Sequence, residues 1–181
     1  MKIMIASDIH GSAEYCRQLI EAYKREGAEK LVLLGDILYH GPRNDLPEGY
    51  APKKVISMLN GIKQEILCVR GNCDTEVDQM VLEFPVLAEY AIMYHESRML
   101  FLTHGHNLNE KNPPMLKKGD VLFNGHTHVP CVREHEEYTY INPGSVSIPK
   151  ENSPHSYIVM TDGLIEWKDL EGNVYNSYRL S

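Results

Sequence analysis

The chain has little of what marks secreted, membrane-bound or polymer-binding proteins. Its four cysteines, Cys16, Cys68, Cys73 and Cys131, show no C-x-x-C spacing, which argues against a zinc knuckle and against a disulfide framework. No apolar run approaches the roughly 20 residues of a membrane-spanning helix. The opening Met-Lys-Ile-Met-Ile-Ala-Ser meets Asp8 and His10 too soon to form a signal-peptide core, so a cytoplasmic protein is expected. Positive charge is scarce as well. With 18 Lys and Arg against 25 Asp and Glu, the formal net charge of −7 argues against an extended nucleic-acid-binding surface. It leaves room for a nucleotide-sized substrate, because bound metal cations can reverse the local field.

What is present suits a globular chain: 43% apolar residues in a length of 181, enough for one compact domain over 1–181 with a real core. The first half reads as alternating strands and helices. Lys2 to Ser7 is an apolar run suited to a buried strand. Ser12 can cap a helix whose Cys16, Leu19, Ile20 and Tyr23 share one face, and Gly27 can end it. Leu31 to Leu34 forms a second strand, and a polar connection runs from Ile37 to Ala51. Pro52 opens a second helix with an apolar stripe of Val55, Met58, Leu59 and Ile62, and Ile66 to Val69 is a third strand.

The second half changes character. Val86 to Tyr94 and Met99 to Leu102 read as a hairpin turning near Glu96, and Val121 to Phe123 is a further short run. Beyond Cys131 come short segments divided by Asp162-Gly163 and Glu171-Gly172-Asn173. Parallel units followed by hairpins imply an α/β protein with two mixed β-sheets packed face to face and helices outside.

Five of these runs end on a metal-ligating residue. Ile3–Ala6 leads to Asp8 and His10, Leu31–Leu34 to Asp36, and Ile66–Val69, through Arg70, to Asn72 in the turn Gly71-Asn72-Cys73-Asp74. Met99–Leu102 leads to His104 and His106, and Val121–Phe123 to His126 and His128. Ligands at the carboxyl ends of neighbouring strands converge on one crevice. Each fragment alone is a common turn. Two carboxylates, an amide and several imidazoles gathered together are costly unless a cation holds them.

The ordered set Asp8-x-His10, Gly35-Asp36, Gly71-Asn72-Cys73-Asp74, His104-Gly105 and Gly125-His126-x-His128 resembles the calcineurin-like metallophosphoesterases. The likeness extends to a subgroup of small bacterial phosphodiesterases through His40–Asn44 and Asn142–Ser147. It implies that Asp8, His10 and His128 hold one divalent ion, that Asn72, His104 and His126 hold another, and that Asp36 bridges them. Oxygen and nitrogen ligands suit Mn2+, Fe or Zn, with Mn2+ the working choice by analogy. Two such ions can share a hydroxide, aim it at phosphorus and neutralise the developing charge, with no protein nucleophile. The implied activity is hydrolysis of a small phosphate diester, with Asn72 and His106 in the catalytic set. The alternatives are a phosphomonoesterase and a non-catalytic scaffold of the same fold.

The family pattern has histidine where this chain has Cys73. A thiol is a weak donor, so the departure favours diesters with good leaving groups. His40 and Arg43 belong to the loop after Asp36 and are expected near the site. His95, His135 and His155 read as surface positions, and Glu134, Glu136 and Glu137 as a solvated strand or hairpin. The exposed late strands offer a surface for homo-oligomer formation.

Overall fold

Alternation along the first strand sets the layering. In the computed structural model, which describes residues 2–180, β1 (Lys2–Ala6) sends Ile3 and Ile5 to one face and Met4 and Ala6 to the other. Met4 and Ala6 pack with Cys16, Leu19 and Ala22 of α1 (Ala13–Glu26). Ile3 and Ile5 pack with Leu100, Val121 and Phe123 of the opposite sheet. Burial on both faces explains the continuous apolar run.

Parallel pairing joins β1 to β2 (Lys30–Leu33) and β2 to β3 (Ile66–Cys68). The second sheet has the order β4 (Ala91–His95), β5 (Arg98–Leu102), β6 (Asp120–Phe123), β8 (Tyr138–Asn142), β7 (Cys131–Glu134). Here β5, β6 and β8 are parallel. The first sheet is completed by β9 (Ser156–Thr161), antiparallel to β1, then β10 (Leu164–Asp169) and β11 (Val174–Arg179). The chain therefore forms the expected pair of mixed sheets. The turns at Asp162-Gly163 and Glu171–Asn173 join the last three strands, as read.

The helices follow their local signals. The Ser12 hydroxyl accepts from the Tyr15 N–H at 3.2 Å, and Gly27 closes α1 at φ 62°. Pro52 begins α2 (Pro52–Asn60), whose Val55 and Leu59 are buried against the first sheet. A short α3 (Glu76–Val81), not anticipated, is started by a reciprocal cap between Thr75 and Asp78. No helix among the described residues is long and apolar enough to cross a membrane.

The helices lie outside, as expected, and cover the first sheet, while the outer cluster of the second sheet takes Leu108 and Leu116 from the 103–119 connection. Two expectations need correction. The strand expected from Val86 starts only at Ala91. Val86 is buried in the helix-side core, its N–H donates to the Gln79 side chain, and Ala88 accepts from the Arg70 N–H, so this segment crosses between layers. His155 is half-buried rather than at the surface, stacked on Tyr15 at 3.9 Å with Nδ1–H donating to the Val146 carbonyl.

Candidate metal centre

The parallel order of β1, β2 and β3, and of β5 and β6, brings the segments beyond their carboxyl ends together. Five of the residues gathered there have left-handed backbones: Asp8 (φ 60°), His10 (48°), Asp36 (56°), His126 (64°) and His128 (62°). Each costs about 1 kcal/mol or more for a non-glycine residue, a strain that packed surroundings must hold. Main-chain bonds do so: His10 N–H donates to Asp36 O at 2.9 Å, and Gly125 N–H to His104 O at 2.9 Å. The hydroxyls of Ser145 and Ser147 both donate to the Asp8 carbonyl, at 3.0 and 2.9 Å. At Gly125 a side chain would collide with Ser7 Oγ and Asp8 Oδ2, so glycine lets the connection carrying His126 and His128 close on Asp8.

The imidazoles are oriented from behind. Nδ1–H of His10 donates to Tyr39 O at 2.8 Å, that of His104 to Leu34 O at 2.7 Å, and that of His128 to Ile148 O at 2.6 Å. In the neutral ring each Nε2 is thereby left as a lone-pair donor facing inward. His10 Nε2 lies 3.3 Å from His128 Nε2, and both face Asp8 Oδ1, at 3.5 and 3.3 Å. That carboxylate oxygen is buried and accepts no hydrogen bond among the described residues. His104 Nε2 lies 3.1 Å from His126 Nδ1, 3.1 Å from Asn72 Oδ1 and 3.4 Å from Asp36 Oδ2. Lone pairs facing lone pairs, beside a carboxylate oxygen without a donor, are the chemistry of a metal-ligand set. Potential ligand atoms of Asp8, His10 and His128 lie within 4.8 Å of one another, as do those of Asp36, His104 and His126. A third such group joins His10 and Asp36 to Cys73.

Electrostatics agree with crowded donors. Burial opposes ionisation of Asp8, yet its contacts with His10 and His128 hold the carboxyl well below the usual range. Burial disfavours a charged His104, but contact with Asp36 and the Asp8 charge raise it to about 9. Burial and the neighbouring His104 charge push His126 down to about 4. The adjacent rings thus cannot both be positively charged.

The sequence-expected residues mostly meet. A cavity of about 350 Å³ is lined by Asp36, Arg43, Asn72, Cys73, His126 and His128, together with Lys150, which the sequence reading missed. His106 lines the two neighbouring cavities, half-buried, with its Nδ1 lacking a hydrogen-bond partner among the described residues. His40 turns elsewhere, its ring edge-on to Tyr39 and Tyr50 at 4.7 and 5.4 Å. Asp74 was read only as part of a turn. It accepts main-chain N–H groups of Asp36, Ile37 and Gly71 at 2.7, 2.9 and 2.7 Å, fastening the loops after β2 and β3. Burial raises its carboxyl to about 6 against the pull of the Ile37 N–H.

Known proteins resemble the chain in sequence and fold. Phosphodiesterase YfcE of Escherichia coli (strain K12) is 50% identical over 165 residues, covering 91% of this chain and 90% of its own. A solved structure of E. coli Yfce, described as a phosphoesterase, superposes with a TM-score of 0.96 over 100% of both chains at 46% identity. Vps29 of Entamoeba histolytica complexed with Zn2+ shares the fold, with a TM-score of 0.63 over 100% of both chains at 18% identity. The family model for the calcineurin-like phosphoesterase superfamily domain matches residues 1–162. On the fold, the gathered ligands and this match together, the chain belongs to the calcineurin-like phosphoesterase superfamily.

Proposed function

We propose that the chain is a metal-dependent phosphodiesterase acting on small phosphate diesters. Asp8, His10 and His128 would hold one divalent cation and Asn72, His104 and His126 a second, with Asp36 available to both. The observation that carries this reading is Asp36 Oδ2, 3.6 Å from His10 Nε2 and 3.4 Å from His104 Nε2, and so common to both groups. When bound, the ions supply Lewis acidity and an activated water for attack on phosphorus. The similarity to a phosphodiesterase over nine-tenths of the chain supports the same chemistry here.

The chain's own residues bind and orient the phosphoryl group. Arg43 and Lys150 face the cavity as cations, and the Asn72 amide offers polar contact. His106 stands beside it to touch the ester oxygens. No protein nucleophile is called for at Cys73: in the metal-free site burial, then the Asp36 charge, push its thiol far above neutrality. With no strong acid at this position, a diester with a good leaving group is favoured over a monoester. Five strained ligands are also an expense that a scaffold has no need to keep.

The deciding experiment loads the protein with Mn2+ and screens phosphodiesters and phosphomonoesters. Preference for diesters, with label from 18O-water entering the phosphoryl product in one turnover, is expected. Trapping a covalent phosphoprotein would contradict the reading.

A further inference from the structure

The ligand cluster stands where three cavities meet. The 350 Å³ cavity shares Asn72 with a second of about 300 Å³, and shares His126 and Thr127 with a third of about 440 Å³. The second and third share His106. A phosphoryl group held at the cluster therefore has separate spaces open to it for organic substituents.

The first and third cavities differ in charge. The first is lined by Arg43 and Lys150 with one carboxylate, Asp36, that belongs to the ligand set. In the third, the Glu110 carboxylate is already paired with the Arg133 guanidinium and with His135 Nε2 at 2.8 Å. Lys111 and Glu151 on its rim carry opposite signs. An anion is drawn to the first cavity, and neither sign is favoured in the third.

The lining of the third cavity is nonetheless polar. Asn124 directs Nδ2 to the carbonyls of Thr103 and Phe123, at 3.1 and 3.0 Å, which fixes the amide orientation. Its Oδ1 is buried and accepts no hydrogen bond among the described residues, and His106 Nδ1 is in the same condition. Both atoms are covered as the fold stands, but both residues line the cavity, and a small turn of the half-buried His106 ring offers its acceptor to a ligand hydroxyl, which an alkyl or aryl group cannot use. The Arg133 guanidinium lies 5.7 Å over the Tyr140 ring and presents a planar wall. A space of about 440 Å³ is within the ordinary range for small-molecule sites, and far more than a methyl group requires.

We infer that this third cavity binds one ester arm of the substrate, and that the arm is a neutral, hydroxyl-bearing group of sugar or nucleoside size. The inference rests on the phosphodiesterase reading above. Arg133 and Cys131, which form part of the wall, then determine specificity without taking part in bond breaking.

Three diesters with a common p-nitrophenyl leaving group and a methyl, phenyl or thymidine-5′ second arm test the assignment. With Mn2+-loaded protein, kcat/KM for the thymidine ester should exceed that of either other ester by about tenfold or more. Cys131→Phe, which fills the cavity, and Arg133→Ala, which strips its wall, should each bring the thymidine-to-methyl ratio close to one. A wild-type ratio near one, a preference for the phenyl arm, or an unchanged ratio in both variants overturns the inference. Calorimetry separates this outcome from failure of the phosphodiesterase reading. Thymidine 5′-phosphate should bind about tenfold more tightly than methyl phosphate, and Cys131→Phe should erase the difference. If no ester is hydrolysed, the catalytic reading falls; unequal binding of the two monophosphates then upholds the cavity's ligand class, and equal binding overturns that as well.

Discussion

Nε2 of His10 faces Nε2 of His128 across 3.3 Å, and in the neutral rings neither nitrogen has a proton to offer the other, because each ring donates its Nδ1–H to a main-chain carbonyl. Neutral rings oppose two lone pairs and charged rings oppose two protons, whereas a cation accepts both. Exhaustive chelation should therefore abolish phosphoesterase activity, and Mn2+ should restore it. Thermal denaturation should show a rise in Tm of several degrees on reconstitution, since the folded state alone presents the assembled ligands. Full turnover at verified zero metal content would sink the metal assignment.

Asp36 carries the link between the two ligand groups. Its Oδ1 accepts from the Cys73 N–H at 2.8 Å while Oδ2 stands between His10 and His104. Asp36→Asn preserves shape but removes the charge that both ions would share. Activity should fall by at least about 100-fold, a loss at or beyond that of removing a supporting contact to a ligand. Bound metal measured by elemental analysis should fall as well. Near-normal activity with two metals retained would show that Asp36 is not the bridge.

Gly125 tests the close approach of the two sheets at the site. Gly125→Ala puts a methyl group against Ser7 Oγ and Asp8 Oδ2, and neither can retreat far from its buried position. Overpacking of this kind costs about 1–3 kcal/mol, so Tm should drop by a few degrees while metal affinity and turnover drop far more. Unfolding curves, metal titration and kinetics on one preparation distinguish a local from a global effect. Unchanged metal affinity would mean that the Gly125 contact does not position Asp8.

The ligand positions were legible because each follows an apolar run by a few residues, and parallel neighbours turn that sequence rule into a shared edge. Asp8, Asp36 and Asn72 come together for this reason, through β1, β2 and β3. What holds them was not legible. Asp74 is one more turn residue until β2 and β3 are known to be neighbours, when its three main-chain bonds become clear. Lys150 enters the cavity from a segment far along the chain. The left-handed backbones of the ligands have no sequence signal either, since glycine is the residue expected there. Val86 and the segment after it misled for a related reason: an apolar run shows burial without showing which layer buries it.

Away from the site, Glu26 ties α1 to three strands. Its carboxylate accepts from Lys168 Nζ at 3.0 Å, Tyr157 Oη at 3.0 Å and Lys2 Nζ at 3.3 Å, with the side chain 8% exposed. Burial opposes the charge, but Lys168 and then Tyr157 hold the carboxyl below its ordinary value of 4.5. A depressed carboxyl contributes stability above that value and loses it as pH falls through the folded-state pKa. Glu26→Gln should cost about 2 kcal/mol at pH 7, and the gap to wild type should narrow under acid. Urea unfolding at pH 7 and at progressively lower pH checks both the size and the direction. A gap that widens under acid would show that Glu26 is not stabilised as the anion.

The last prediction concerns what Cys73 does not provide. Its side chain is buried beside the ligands, with the N–H held by Asp36 and Sγ accepting from Asn72 Nδ2 at 3.3 Å. Burial and nearby carboxylates raise the thiol in the metal-free site, and even a protonated thiol is a poor proton donor to a departing alkoxide. General-acid assistance is typically worth about 10²–10⁴-fold, so its absence falls hardest on poor leaving groups. The wild-type protein should show a steep dependence of rate on leaving-group pKa, with aryl diesters fast and alkyl monoesters slow. Cys73→Ser should keep most diesterase activity, since no covalent role is lost. Cys73→His should flatten the dependence and raise monoesterase relative to diesterase activity. Imidazole is larger than a thiol and Gly41 lies close to Sγ, so metal content must be matched before slopes are compared. An unchanged slope in a fully metallated Cys73→His protein would remove this position from control of the leaving group; a loss in Cys73→Ser as large as that of Asp36→Asn would restore the thiol to the chemistry.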